Sequence, residues 1–322
     1  MATDEAANMT NDANMTNEAN MTNDANMTNE ANMTNEANMT NEVNMANMAD
    51  KATLVNAADE TNKGDEESQQ GSPSLLRAVI EEAGYESGHP IVRNIVLDVR
   101  SGERVGLIGP NGAGKSTLMK GLLGQLPHWR AKVYWRGEEE GNAGEGLHSA
   151  IAYIPEQPIV YERLTLWEHL VLAAASAGLS EDELSERADK LLRRFRLSGF
   201  RHHYPVKFSK GMQQKTMLIV AFLLKPDLYL VDEPFIGLDP GAVLELIDAL
   251  EEERSRGAAV LMTTHVLDSA ERMCDRFVLV SEGGAAASGT LEEISKQAGF
   301  GPDARLFDCF HRLTARDDEV EA

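Results

Sequence analysis

Hydrophobic positions divide the chain into two unlike parts. From residue 1 to about 70 there is no aliphatic run, and one hexapeptide recurs, as in ANMTNE at residues 31–36, with methionine at positions 9, 15, 21, 27, 33 and 39. At ~100° per residue, six residues rotate successive methionines by roughly 240°, so they mark no single helix face. Asparagine and threonine are poor helix formers, and so little apolar side chain cannot collapse an acidic repeat. An even period would put every methionine on one side of a strand, but the repeat lacks the β-branched aliphatics and glycine of a hexapeptide β-helix. Residues 1–70 therefore read as a disordered acidic tail.

Beyond residue 70 the pattern changes to short apolar runs separated by amphipathic stretches. ERVGLI (103–108), LYLV (228–231) and AAVLMTT (258–264) are strand-like, and LMKGLLGQL (118–126) is helix-like. Between Pro158 and Pro226 the chain reads as helices. TLWE from Thr165 and SEDE from Ser180 have the spacing of capping boxes, and Leu184, Ala188, Leu191, Leu192 and Phe195 recur at helical intervals. MLIVAFLL (217–224) reads as a buried helix stopped by Pro226. Strands alternating with helices predict an α/β fold. The longest apolar stretches, near 170–179 and 217–224, fall short of the ~20 residues that span a bilayer.

Charge narrows the candidate partners. The first 70 residues hold 14 of the 52 acidic residues against Lys51 and Lys63 alone, a charge of −12, and the remainder carries −10 of the total −22. Neither part has the basic footprint of a nucleic-acid binder. Cys274 and Cys309 are the only cysteines, so no disulfide framework is implied and a reducing cytosol is expected. No apolar segment precedes the first basic residue, Lys51, which argues against an ordinary secretory signal.

Candidate chemistry begins at GPNGAGKST, residues 109–117, between a strand-like and a helix-like run. Gly109, Pro110, Asn111, Gly112, Ala113, Gly114, Lys115, Ser116 and Thr117 match the phosphate-loop pattern in the context it requires. The glycines let backbone N–H groups turn inward around phosphates, and the following helix adds a favourable dipole. Lys115 is then expected at the β- and γ-phosphates and Ser116 at Mg2+. LVDEP (230–234) ends a buried strand in two carboxylates, which is costly unless a cation or a reaction uses them. Asp232 is placed to hold Mg2+ through water, and Glu233 to orient or deprotonate an attacking water. FSKGMQQK (208–215) opens an apolar helix with a capping serine, Ser209, and a glycine, Gly211, that permits close approach.

The order of phosphate loop, YIPEQP (153–158), FSKGMQQK, LVDEP, GLDP (237–240) and TTH (263–265) resembles the ATP-binding subunits of ABC transporters, from about residue 75 to the C-terminus. In detail it is similar to the ATPase subunit of the Ecs-type exporters of Gram-positive bacteria. The resemblance implies a P-loop ATPase domain over 74–300 with a β-rich edge, a helical subdomain at about 158–225, and a C-terminal helix and tail at 301–322. FSKGMQQK then corresponds to the signature motif, with Phe208, Lys210 and Met212 replacing Leu, Gly and Gln of the common LSGGQ. Its Ser209 and Gly211 would face the ATP held by a second cassette. His265 corresponds to the switch histidine, Asp239 to the aspartate that touches the opposite subunit, and Tyr85 to the aromatic that stacks on adenine. Glu156 takes the place of the usual query-loop glutamine and Gln157 follows it; either could reach the Mg2+ shell, and Gln157 is counted among the nucleotide-binding candidates.

The resemblance further implies ATP and Mg2+ as cofactors, a homodimer or a heterodimer with a second ABC subunit, and a separate transmembrane permease subunit. The protein would then lie at the cytoplasmic face of the membrane, and the variant motifs are export-like. A rival is a soluble ABC ATPase acting on ribosomes or DNA. Against it stand the single cassette, the lack of a long charged heptad insert, and the acidity, since Lys and Arg supply most non-specific nucleic-acid affinity.

Overall fold

The computed structural model describes residues 74–140 and 145–315. The hexapeptide repeat, and the end of the chain beyond residue 315, lie outside the described residues.

Among the described residues, ten strands form two sheets. The first is antiparallel, in the order β2 (Val92–Arg100), β1 (Ser74–Gly84), β4 (His128–Trp135) and β5 (Glu138–Glu139). The second has the order β10 (Gly284–Gly289), β9 (Arg276–Ser281), β3 (Arg104–Ile108), β8 (Ala259–Thr264), β7 (Leu228–Asp232) and β6 (Ile151–Ile154), parallel from β9 to β6 with β10 antiparallel at its edge.

The central strands are predominantly apolar because both of their faces are covered. Leu228 and Leu230 of β7, with Leu261 of β8, join a core shared with the antiparallel sheet and with helix α1 (Lys115–Leu122). The alternate residues, Tyr229, Val231, Val260 and Met262, point into a second core under the helices that follow. The helical reading of 118–126 runs past the observed end of α1: Leu123 caps the helix and Gly124 turns left-handed, at φ +67°. A short helix α2 (Glu145–Ser149) precedes β6.

The stretch between Pro158 and Pro226 folds into α3 (Leu166–Ser176), α4 (Glu181–Arg194) and α5 (Lys210–Leu224), with two 3-10 turns before α5. Thr165–Glu168 and Ser180–Glu183 form reciprocal capping boxes at α3 and α4. Phe222 of α5 stacks on Phe195 at the end of α4, ring centres 6.2 Å apart, and tilts against Tyr229 of β7 at 5.3 Å. These three rings join the helical region to the parallel sheet. Lys225, left-handed at φ +49°, ends α5 before Pro226. The remaining helices are α6 (Pro240–Ser255), α7 (Leu267–Met273), α8 (Leu291–Gln297) and α9 (Leu306–Thr314).

Candidate nucleotide site

The phosphate loop, Asp232, Glu233, Thr263 and His265 gather at the C-terminal ends of β3, β7 and β8, where ligands of open parallel sheets are held. Residues 109–114 turn from β3 into α1, and two glycines set that path. Gly114 has φ +103°, and a Cβ there would lie 2.4 Å from Val92 Cγ2; a Cβ on Gly109 would lie 2.2 Å from the Val280 carbonyl oxygen. Lys115, 6% exposed, folds back over the loop, and its Nζ donates to the carbonyls of Gly109 at 2.8 Å and Pro110 at 3.1 Å. Burial holds its pKa below the ordinary lysine value, against the opposing pull of Glu233, Asp232 and Glu156.

Asp232 ends β7 among three hydroxyls. Thr263 Oγ1 and Ser116 Oγ donate to Oδ1, the latter at 3.3 Å, and Tyr153 donates to Oδ2 at 3.4 Å. Burial, then the Asp232 charge, raises the Tyr153 pKa, so its hydroxyl keeps its proton. The donor set at Ser116 and Asp232 is hard oxygen, which suits Mg2+ rather than a thiolate- or imidazole-seeking metal. Among the described residues no group of three or more His, Cys, Asp or Glu could cage a metal.

Glu233, 8% exposed, has φ +47°, a left-handed conformation that costs a non-glycine residue about 1–3 kcal/mol. It is held there by its N–H, which donates to Thr263 Oγ1 at 3.0 Å and to the Thr263 carbonyl at 3.2 Å. The carboxylate lies 3.9 Å from Lys115 Nζ and 2.8 Å from His265 Nδ1. Because a carboxylate only accepts, His265 Nδ1 is the donor in this contact. Lys115, Glu233 and His265 therefore form one line across the strand ends.

Tyr85 is 46% exposed at the end of β1, and Lys120 of α1 donates to its hydroxyl at 3.0 Å while standing over its ring. Of the two query-loop candidates, Glu156 acts electrostatically on Lys115 and Tyr153, whereas Gln157 is exposed.

Ser209 and Asp239 lie apart from this line, at the start of α5 and of α6. Ser209 Oγ accepts the Met212 N–H at 3.3 Å, and Asp239 Oδ1 accepts the Ala242 N–H at 2.9 Å. Sequence reasoning finds no reason within one chain for Gly211. The fold supplies one: a Cβ on Gly211 would lie 2.7 Å from the carbonyl oxygen of Gly237. Thr263, Tyr153 and Lys215 were also missed, although all three stand inside the quoted motifs. Their signal was position within TTH, YIPEQP and FSKGMQQK, but their partners become neighbours only in the fold.

A phosphate loop at a helix start, with paired acids at the end of β7, one strand beyond β8 in the same sheet, defines a P-loop nucleotide-binding ATPase domain. The family profile described as ABC transporter matches residues 92–236. YthP, an ABC transporter ATP-binding protein of Bacillus subtilis, is 47% identical over 244 residues, covering 76% of this chain and 98% of that protein. The ABC-type transporter ATP-binding protein EcsA of the same organism is 41% identical over 242 residues, covering 75% and 98%. A solved structure of an ATP-binding subunit of an ABC transporter superposes with a TM-score of 0.70 at 43% identity, covering 74% of this chain and 99% of that one. The chain belongs to the ABC transporter ATP-binding proteins, a family of ATP-hydrolysing domains.

Proposed function

We propose that this protein is the ATP-hydrolysing subunit of an export-type ABC transporter, closing in pairs on two ATP·Mg2+ and driving a separate transmembrane permease. The observation that carries the reading is the line Lys115–Glu233–His265, in which a buried glutamate, held in a strained conformation, stands between the phosphate-loop lysine and a histidine.

Backbone N–H groups within residues 111–114 and Lys115 receive the phosphates, and Tyr85 offers its exposed ring to adenine. Ser116 and Asp232 would hold Mg2+, which when bound offsets phosphate charge. Glu233 takes a proton from the attacking water, and His265, bonded to the same carboxylate, fixes its direction. Ser209 and Gly211 face the nucleotide of the second copy, and Asp239 meets that copy's surface. Similarity of FSKGM to export-type signatures favours export. Among the described residues no helix is long and apolar enough to cross a membrane. The reading assigns the crossing to the permease and places this chain at the cytoplasmic membrane face.

Glu233→Gln tests the chemistry. Phosphate release should fall by ~10²–10⁴ while ATP binding persists, since a positioned general base contributes about that much. The variant should also remain dimeric with ATP on a sizing column; unchanged turnover refutes Glu233 as the base. A mild-detergent pull-down tests the partner. A multi-span membrane protein in near-equal amount supports the transporter reading, and ribosomal or DNA-repair components in its place overturn it.

A further inference from the structure

We infer that Lys215 is a positioning residue that ties the segment after Glu233 to the first turns of α5, so that contact made at Ser209 is transmitted to Glu233. The inference rests on the proposed assignment of Glu233 and Ser209 and adds a residue that this assignment does not contain.

The tie has three parts. Lys215 Nζ lies 2.6 Å from Asp239 Oδ2, its side chain 14% exposed and that of Asp239 56% exposed. The other oxygen of Asp239 caps α6 through Ala242 N–H, so one carboxylate is shared between two helices. One turn earlier on α5, the Gly237 carbonyl occupies the space that a side chain at Gly211 would need, and the Lys210 stem lies against Gly237. Exposed ion pairs contribute little to stability, so the value of this one lies in where it fixes the chain.

The intervening segment has little slack. Ile236 N–H bonds the Glu233 carbonyl at 3.3 Å, Leu238 N–H bonds the Phe235 carbonyl at 3.4 Å, and Phe235 and Leu238 pack on the core. Both Glu233 and Gly237 have positive φ, so the path between them is a pair of tight bends. A shift of Asp239 with α5 therefore moves Glu233. The same helix reaches the other side of the site, where Gln214 Nε2 donates to the Pro155 carbonyl at 3.1 Å, next to Glu156. Helix α5 thus holds both loops that flank Lys115, and Lys215 is its grip on the one carrying the base.

The test uses full-length protein and steady-state phosphate release against ATP·Mg2+ concentration, in wild type, Lys215→Met and Lys215→Arg, with Glu233→Gln as reference. Small misplacements of a catalytic group cost up to ~10²-fold, so kcat of Lys215→Met should fall roughly 10- to 100-fold. KM should stay within about twofold, because nucleotide capture in the same chain is untouched. Lys215→Arg, which keeps the charge, should recover most of the loss. Wild-type kcat in Lys215→Met overturns the inference while leaving the role of Glu233 intact. Equal losses in Met and Arg, tracking a fall in melting temperature, also overturn it. Should Lys215→Met not fold, Lys215→Gln, which removes the charge but keeps a polar side chain, must lower kcat without raising KM. Should wild type show no turnover, the proposed function itself fails. Hydrogen exchange then decides the tie alone: equal protection of residues 235–239 in wild type and Lys215→Met overturns it.

Discussion

Thr263 joins the two neighbouring acids that the site depends on. Its hydroxyl donates to Asp232 and accepts from the Glu233 N–H, and it is fully buried. Valine has the same shape but neither hydrogen bond, so Thr263→Val leaves Asp232 short of a donor and Glu233 with one acceptor in place of two. Unsatisfied buried polar groups cost about 1–3 kcal/mol, and denaturant titration should show a loss of that order. Phosphate release should fall as well, because the left-handed turn at Glu233 loses part of what holds it, while nucleotide binding, measured by titration, should change little. The residue types at this site were legible in advance: GKST, DEP and TTH each name an atom that phosphate chemistry needs. Their mutual support was not. A hydroxyl shared by positions 232, 233 and 263 exists only once β7 and β8 are paired.

Helix boundaries in the helical region are written in local chemistry, which is why they could be read directly. The Thr165 and Ser180 boxes bond within four residues and need no tertiary partner. Ser180→Ala should cost about 1 kcal/mol by thermal or chemical denaturation. The Glu183 carboxyl is held below the ordinary range, first by the Ser180 N–H and then by the Ser180 hydroxyl. A lowered folded pKa gives stability that is complete above the unfolded value of ~4.3 and is lost as pH falls through the folded one. The difference between wild type and Glu183→Gln should therefore be constant at neutral pH and shrink below about pH 4, as melting scans across that range would show. By contrast, β1, β2 and β4 were anticipated only as a β-rich edge. β1 buries residues on both faces beneath its neighbours, and its alternation is broken by register shifts at 74–76 and 80–82. Long-range pairing sets such strands, and no short window of sequence records it.

At the scale of the whole molecule, every candidate site residue lies between Tyr85 and His265, inside the described span. A chain beginning at Ser74 should therefore hydrolyse ATP with wild-type kcat/KM, in an assay run side by side with the full-length protein. A large loss in a truncated chain that keeps its far-ultraviolet spectrum would give the hexapeptide repeat a part in the chemistry. The overall class was legible because six motifs in a fixed order leave little choice of fold. How α5 reaches Asp239 through Lys215 and the Pro155 carbonyl through Gln214 was not, since these contacts join positions 24 and 59 residues apart.

The bond from Lys120 to Tyr85 has a consequence for selectivity. Lys120 and Lys115 ride on the same helix, about 7.5 Å apart along its axis at 1.5 Å per residue. A hydrogen bond thus joins Tyr85 to the helix that follows the phosphate loop, and under the proposed assignment of Tyr85 to the base the two ends of a nucleotide meet the jaws of a calliper with a set opening. Capture of one end raises the effective concentration of the other, so the two contacts multiply in affinity for a ligand that spans the gap. A bare polyphosphate or a free base engages one jaw and gains nothing from its partner.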